Sequence, residues 1–335
     1  DRMYVAIYLV FLSLALIELR YKLPKSLHVA MLILFWMVNT LRFDVGTDWS
    51  SYALLFENMS LRNVSTNYLH FEPFLRYAIV GLKQVSTDLR VFVLFQSTLS
   101  SLLLWSLRVP TKRYFALLMF IWWIGYNLPY GNNAYTQGLL FLFNLIVVLR
   151  LSGLARLTLT VPLFAVHSSM IFFLTSYILG WFRLNFRTAL IVIISGVILM
   201  RLSDMRAFVG GLYDFDFYFN VFPDAENQTQ LAIKVTFSIL ILWLADRVGM
   251  DTFFISSYSY LVLAYILLSF NAEIASRVYV LARSLELVMF GKIIYGVSRY
   301  FIPRTCYLLI LSTLYHINFI TLLINEDFKY STWLQ

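Results

Sequence analysis

The stretch HVAMLILFWMVNTLRFDVGTDWSSY (residues 28–52) sets the terms for the whole chain. Its first part, up to Leu41, is an apolar run. Its second part packs Arg42, Asp44 and Asp48 around Gly46 and closes on Tyr52. Composition decides what the apolar run is. The 335 residues are 60% hydrophobic and 13% charged, with a mean hydropathy of +0.75. A soluble domain carries about 25% charged residues. This chain cannot cover a surface facing water, so the run is a membrane span and the charged cluster stands at its mouth.

Working outward, further apolar segments predict spans at 3–19, 27–41, 90–107, 113–130, 134–150, 188–201, 231–248, 253–270, 276–297 and 305–324. A span takes about 20 apolar residues, or fewer if it is tilted. The first of these lacks a small-residue cleavage site and reads as a retained span. Two stretches are less regular. Residues 71–85 are short and contain Arg76 and Lys83. Residues 154–181 contain Pro162 and then His-Ser-Ser at 167–169, which suits a hairpin of two short helices with His167 near its tip; a single long tilted span is the alternative. The expected fold class is all-α: one polytopic integral membrane domain over 1–335, with about 10–13 transmembrane or re-entrant helices.

The net charge of +8 is explained by orientation signals and not by nucleic acid. Lys and Arg gather in the short loops 18–26, 108–113, 150–156 and 183–187, at Arg247, and at Arg299 and Arg304. If these face the cytoplasm, the outer face holds 42–70, 130–134, 202–230, 271–275 and the C-terminus. That scheme requires 71–85 to re-enter without crossing and 154–181 to be a hairpin. It collects nearly all the unusual polar residues on one side, where loops 42–70 and 202–230 form a cleft. The basic loops leave no room for a nucleotide-binding domain, and no GxxxxGK[ST] motif is present. No internal repeat is apparent. The lone Cys306 excludes a disulfide within the chain and a thiolate metal cluster.

Arg42 at the end of a span fits a snorkelling interfacial arginine, and Asp48 fits a helix cap. Together with Asp44 they also make a polar knot, which can orient a sugar hydroxyl, hold a general base or fix an arginine for phosphate. No metal site is expected, although Asp44 and Asp48 could share an ion.

RFDVGTDWSSY (42–52) resembles the R-x-x-x-G-T-D-x-x-x-Y signature of EpsG-type, Wzy-like polysaccharide polymerases. EPF (72–74), NNAYTQGL (132–139), FAVHSSMI (164–171) and EIASRVYV (273–280) resemble further motifs of that family, in the same order. Thr136 stands where the family usually has arginine, so the contact made by that arginine is missing here or supplied elsewhere. The resemblance implies glycosyl transfer at the outer face of a bacterial inner membrane. The growing glycan would pass from its undecaprenyl pyrophosphate carrier to the non-reducing end of an incoming lipid-linked unit. A separate chain-length-regulating co-polymerase is an implied partner, and no cofactor is.

Under that reading Arg42, Arg277 and Arg283 are candidates for the pyrophosphate. Arg277 and Arg283 could instead pair with Glu273 and Glu286 at helical spacing. Asp44, Asp48 and His167 are candidates for the base, with His316 a weaker one. Asn132, Asn133, Gln137, Tyr52, Glu72 and Glu273 are candidates for sugar hydroxyls. The aromatic and acidic loop 202–230 is a candidate for substrate selection, or an interfacial anchor. A transporter of lipid-linked oligosaccharide, an O-antigen ligase and a membrane glycan acyltransferase are the competing functions.

Overall fold

The computed structural model describes residues 2–43, 48–66, 72–127, 135–167, 170–202, 225–298, 300–324 and 331–332. Among them are fourteen α-helices: α1 (Arg2–Arg20), α2 (Lys25–Thr40), α3 (Trp49–Asn58), α4 (Pro73–Lys83), α5 (Leu89–Leu107), α6 (Phe115–Trp122), α7 (Tyr135–Arg150), α8 (Gly153–Thr160), α9 (Met170–Gly180), α10 (Phe186–Leu202), α11 (Gln228–Arg247), α12 (Thr252–Leu267), α13 (Ala272–Val297) and α14 (Phe301–Ile324). One antiparallel pair of two-residue strands joins β1 (Arg42–Phe43) to β2 (Ser331–Thr332). The all-α expectation holds. Four helices, α1, α5, α11 and α14, are long and apolar enough to cross a membrane, and shorter apolar helices accompany them.

The chain divides into two compact units, 1–168 with 298–335, and 169–297. In the first, α6 is buried at every position from Phe115 to Trp122, as a helix apolar all round must be. Beyond Trp122 it widens into a π-helical turn over 123–127. Helix α1 lies against α6, and α5 packs between α2 and α7. The basic loops of this unit meet at one end. Arg304 Nη1 donates to the Leu19 carbonyl at 2.8 Å, Arg150 Nη2 to that of Ser106 at 2.5 Å, and Arg108 Nε to His28 Nδ1 at 3.1 Å. The expectation that these loops share a side holds within this unit.

In the second unit α12 is the central helix, contacted by α9, α10, α11 and α13. Local caps fix the helix starts. Asn227 accepts the Thr229 N–H at 2.9 Å, and Asp251 accepts that of Phe253, also at 2.9 Å. Asp246 accepts the Phe186 N–H at 3.4 Å. That contact draws Arg187 and Arg247 to a common end.

Neither irregular stretch is one long helix. Helix α4 has 11 residues, about 16 Å of rise, which is too short to cross a hydrocarbon core of about 30 Å. Residues 154–181 are not one long span. Helix α8 runs into a 3₁₀ turn over Val161–Ala165, where Pro162 has no N–H to donate, and α9 resumes at Met170.

Candidate active site

Helix α2 ends at Thr40, and β1 carries the chain into the cluster that follows. Arg42 does not snorkel. It is 2% exposed, and its Nη2 donates to Gln96 Oε1 of α5 at 2.5 Å. The charge turns inward because α5 offers a buried amide, which a charged donor binds more strongly than a neutral one would. Asp48 occupies the N-cap position of α3, but its carboxylate makes no capping hydrogen bond. Asp44 lies outside the described residues.

Tyr52, on α3, is where the motifs meet. Its hydroxyl accepts the backbone N–H of Tyr135, the first residue of α7, at 3.1 Å. Burial and then the Asp48 carboxylate push this phenol above its ordinary value. The Tyr135 N–H and Arg42 act the other way, and Glu72 adds to the rise. Three motif residues, Asp48, Glu72 and Arg42, thus act on one hydroxyl. The Tyr135 hydroxyl in turn donates to the Gln96 carbonyl at 3.4 Å. A small recess of about 10 Å³, room for about one water, opens here, lined by Arg42, Trp49, Tyr52, Phe92 and Gln96 among others.

Glu72 precedes α4, and Pro73 at the first helical position fixes where the helix starts. The Glu72 Oε1 stands 3.4 Å from His167 Nε2. His167 sits in the break after the 3₁₀ turn and is largely buried. The structure therefore joins two motif residues that lie far apart in sequence. The neighbouring chain is pinned as well: Arg76 Nη1 donates to the Val64 carbonyl at 2.5 Å, and Lys83 Nζ to those of Glu57 and Met59 at 2.9 and 2.8 Å. Lys83 thereby satisfies carbonyls at the C-terminal end of α3.

Gln137 lies half-buried in the first turn of α7, beside a buried Thr136. Asn132, Asn133, residues 203–224 of the loop, and the side chain of Glu273 lie outside the described residues. His316 is a packing residue. Its Nδ1 donates to the Ser312 carbonyl at 2.8 Å, and its ring meets those of Tyr8 and Phe120.

Arg277 and Arg283 belong to the second unit, both half-buried on α13, with Arg283 about 9 Å further along the axis. A polar network surrounds that part of α13. Glu286 is wholly buried and accepts from the Tyr258 hydroxyl at 2.7 Å. That hydroxyl is also 3.1 Å from Ser238 Oγ. Lys234 Nζ pairs with the buried Glu226 at 2.8 Å and lies 5.4 and 5.3 Å from the ring centres of Tyr265 and Tyr279. Among the described residues there is no group of three or more His, Cys, Asp and Glu able to hold a metal ion.

Sequence reasoning passed over Gln96, Lys234 and Tyr258, and took Glu226 only as part of the acidic loop 202–230. For the first three the available signal was a polar or charged side chain inside an apolar helix, which must find a partner.

A family model described as the EpsG family matches residues 25–334. No curated protein and no solved structure matches the chain.

Proposed function

The chain belongs to the EpsG family, and from that premise we propose that it polymerises undecaprenyl-pyrophosphate-linked oligosaccharide repeat units at the outer face of the bacterial inner membrane. As a multi-pass membrane protein of polysaccharide biosynthesis, it requires a base for a sugar hydroxyl and a cation for a departing anion. The observation that carries the reading is the Glu72–His167 contact at 3.4 Å.

A carboxylate on one imidazole nitrogen fixes the tautomer. With the proton on Nε2, directed at Glu72, Nδ1 carries the lone pair. It takes the proton of the acceptor hydroxyl as the new glycosidic bond forms. The bond between the donor sugar's anomeric carbon and pyrophosphate breaks, and lipid pyrophosphate leaves. Glu72 then stabilises the imidazolium. Arg42, on the wall of the recess beside Tyr52, offers its guanidinium to the leaving group; Arg277 and Arg283 are candidates for the anion through the family resemblance alone. Asp48, Gln137 and Tyr52 hold acceptor hydroxyls.

Purified protein given lipid-linked repeat units and no nucleotide should make a ladder of longer lipid-linked glycans and release undecaprenyl pyrophosphate. Transbilayer movement without elongation would instead identify a transporter. Transfer to a lipid A core, with no ladder, would identify a ligase.

A further inference from the structure

In the first unit, running toward its basic end, α2 and α5 leave a groove of about 310 Å³ between them. Its walls are matched helical stripes, at 29, 32, 33 and 36 on α2 and at 98, 101, 102 and 105 on α5. The i, i+3, i+4, i+7 spacing aligns each set along one face. The groove opens to the side, since Val29, Ile33 and Leu102 are exposed. Trp36 Nε1 donates to Thr98 Oγ1 at 3.0 Å and closes one end. The groove is about 10 Å long from there to Trp105.

The other end is cationic. Lys25 Nζ and the Arg108 guanidinium carbon lie 5.7 and 5.1 Å from the ring centre of Trp105. Arg108 is aimed from behind by a buried chain. Glu18 Oε1 faces His28 Nε2 at 3.1 Å, and His28 Nδ1 accepts Arg108 Nε at 3.1 Å. Because arginine is always a donor, Nδ1 carries the lone pair and His28 is neutral. The other Glu18 oxygen accepts the Leu117 N–H at 3.0 Å. Helix α2 starts beside Lys25 with no acidic residue in its first turn and no side-chain cap, so its terminal amides add positive potential.

We propose that this groove binds one anionic diacyl phospholipid of the inner leaflet. An acyl chain lies between α2 and α5, and the phosphate sits against Lys25, Arg108 and the start of α2. Basic recesses between helices on the cytoplasmic side suit such headgroups. The surplus of Lys and Arg assigns this end to that side. Charge complementarity selects the occupant, because a zwitterionic lipid gains less from two cations and an uncapped helix start. The site does not depend on the polymerase reading.

The full chain in detergent, titrated with phosphatidylglycerol or phosphatidylcholine and followed by native mass spectrometry, should retain one phosphatidylglycerol with roughly tenfold preference. Lys25→Gln with Arg108→Gln should abolish that preference. Ser101→Phe, which fills the groove, should lose the bound lipid with the charges intact. If the double variant fails to fold, photoactivatable phosphatidylglycerol on the unmodified protein should crosslink to α2 and α5. Equal retention of the two lipids would overturn the proposal, as would crosslinks confined elsewhere. Displacement of phosphatidylglycerol by a polyprenyl phosphate at equal concentration would also overturn it, because the groove would then serve the carrier.

Discussion

Tyr135 donates its backbone N–H to the Tyr52 hydroxyl over 3.1 Å, so the start of α7 is tied to the helix that follows Asp48. The bond is buried, and its acceptor is the same hydroxyl on which Arg42, Asp48 and Glu72 act. A lost oxygen here would leave a helix-start amide without its partner.

Tyr52→Phe should therefore cost about 1–3 kcal/mol, the penalty for stranding a buried donor. Thermal unfolding in detergent measures it. The change should also alter the alkaline limb of stability. The folded phenol is held above its ordinary value by burial and by Asp48, so the unfolded chain ionises first. The protonated form's contribution is complete below a pH of about 10 and is lost as pH rises past it. The Phe variant should lose less stability over that alkaline range than the parent does.

Glu72 and His167 should behave as a unit. His167→Gln should lower elongation by about 10²–10⁴-fold, the usual contribution of a positioned base. Glu72→Gln, which loses only the group that sets the tautomer, should cost less. The double variant should be no worse than His167→Gln alone, because groups acting through one another are not additive. Single-turnover elongation with a defined lipid-linked acceptor gives the comparison. Full multiplication of the two losses would show that Glu72 acts elsewhere.

These pairs mark where the sequence is readable and where it is not. Apolar length alone locates α1, α2, α5, α7, α11 and α14, because a span must satisfy its backbone within itself. Pro162 and the polar residues after it announce the break that holds His167. Arg42 reads two ways, since a charge after an apolar run looks the same whether it reaches for water or turns inward. The deciding group, Gln96, stands in another helix, on an element whose contacts only folding reveals. Glu72 likewise reads as a sugar contact until the fold brings His167 to it. The chain Glu18–His28–Arg108 is spread over three helical segments, and no local pattern foretells it.

Gly125 is where the widened turn after α6 meets α14. A Cβ there would fall 2.1 Å from Cδ1 and 2.5 Å from Cε1 of Tyr315. Gly125→Ala must push that buried ring aside and disturb its hydroxyl contact with Tyr126, now 3.3 Å. Overpacking of this kind costs about 1–3 kcal/mol. Gly153, with open space around its Cβ position, is not a fair control because its φ is +54°. Gly81 has nothing within reach, and Gly81→Ala should leave the melting temperature unchanged or slightly raised, as alanine favours a helix.

Tyr258 and Glu286 test what the buried network in the second unit is for. Glu286 has no exposure, and the Tyr258 hydroxyl reaches it at 2.7 Å. Tyr258→Phe removes a donor from a buried acid, at a cost of about 1.5–3 kcal/mol if that acid is charged. Glu286→Gln keeps an oxygen for the tyrosine to bond and should cost less. If the network serves only to hold α12, α11 and α13 together, Tyr258→Phe combined with Glu286→Leu should recover most of the loss, since replacing both partners with apolar groups removes the unmet polar group. Elongation would then recover along with stability. Should Glu286 instead keep Arg283 in place for the pyrophosphate, the double variant should regain its melting temperature and stay slow. Melting curves and elongation rates on the same four proteins separate these outcomes, because only the second leaves a stable protein that cannot release its lipid carrier.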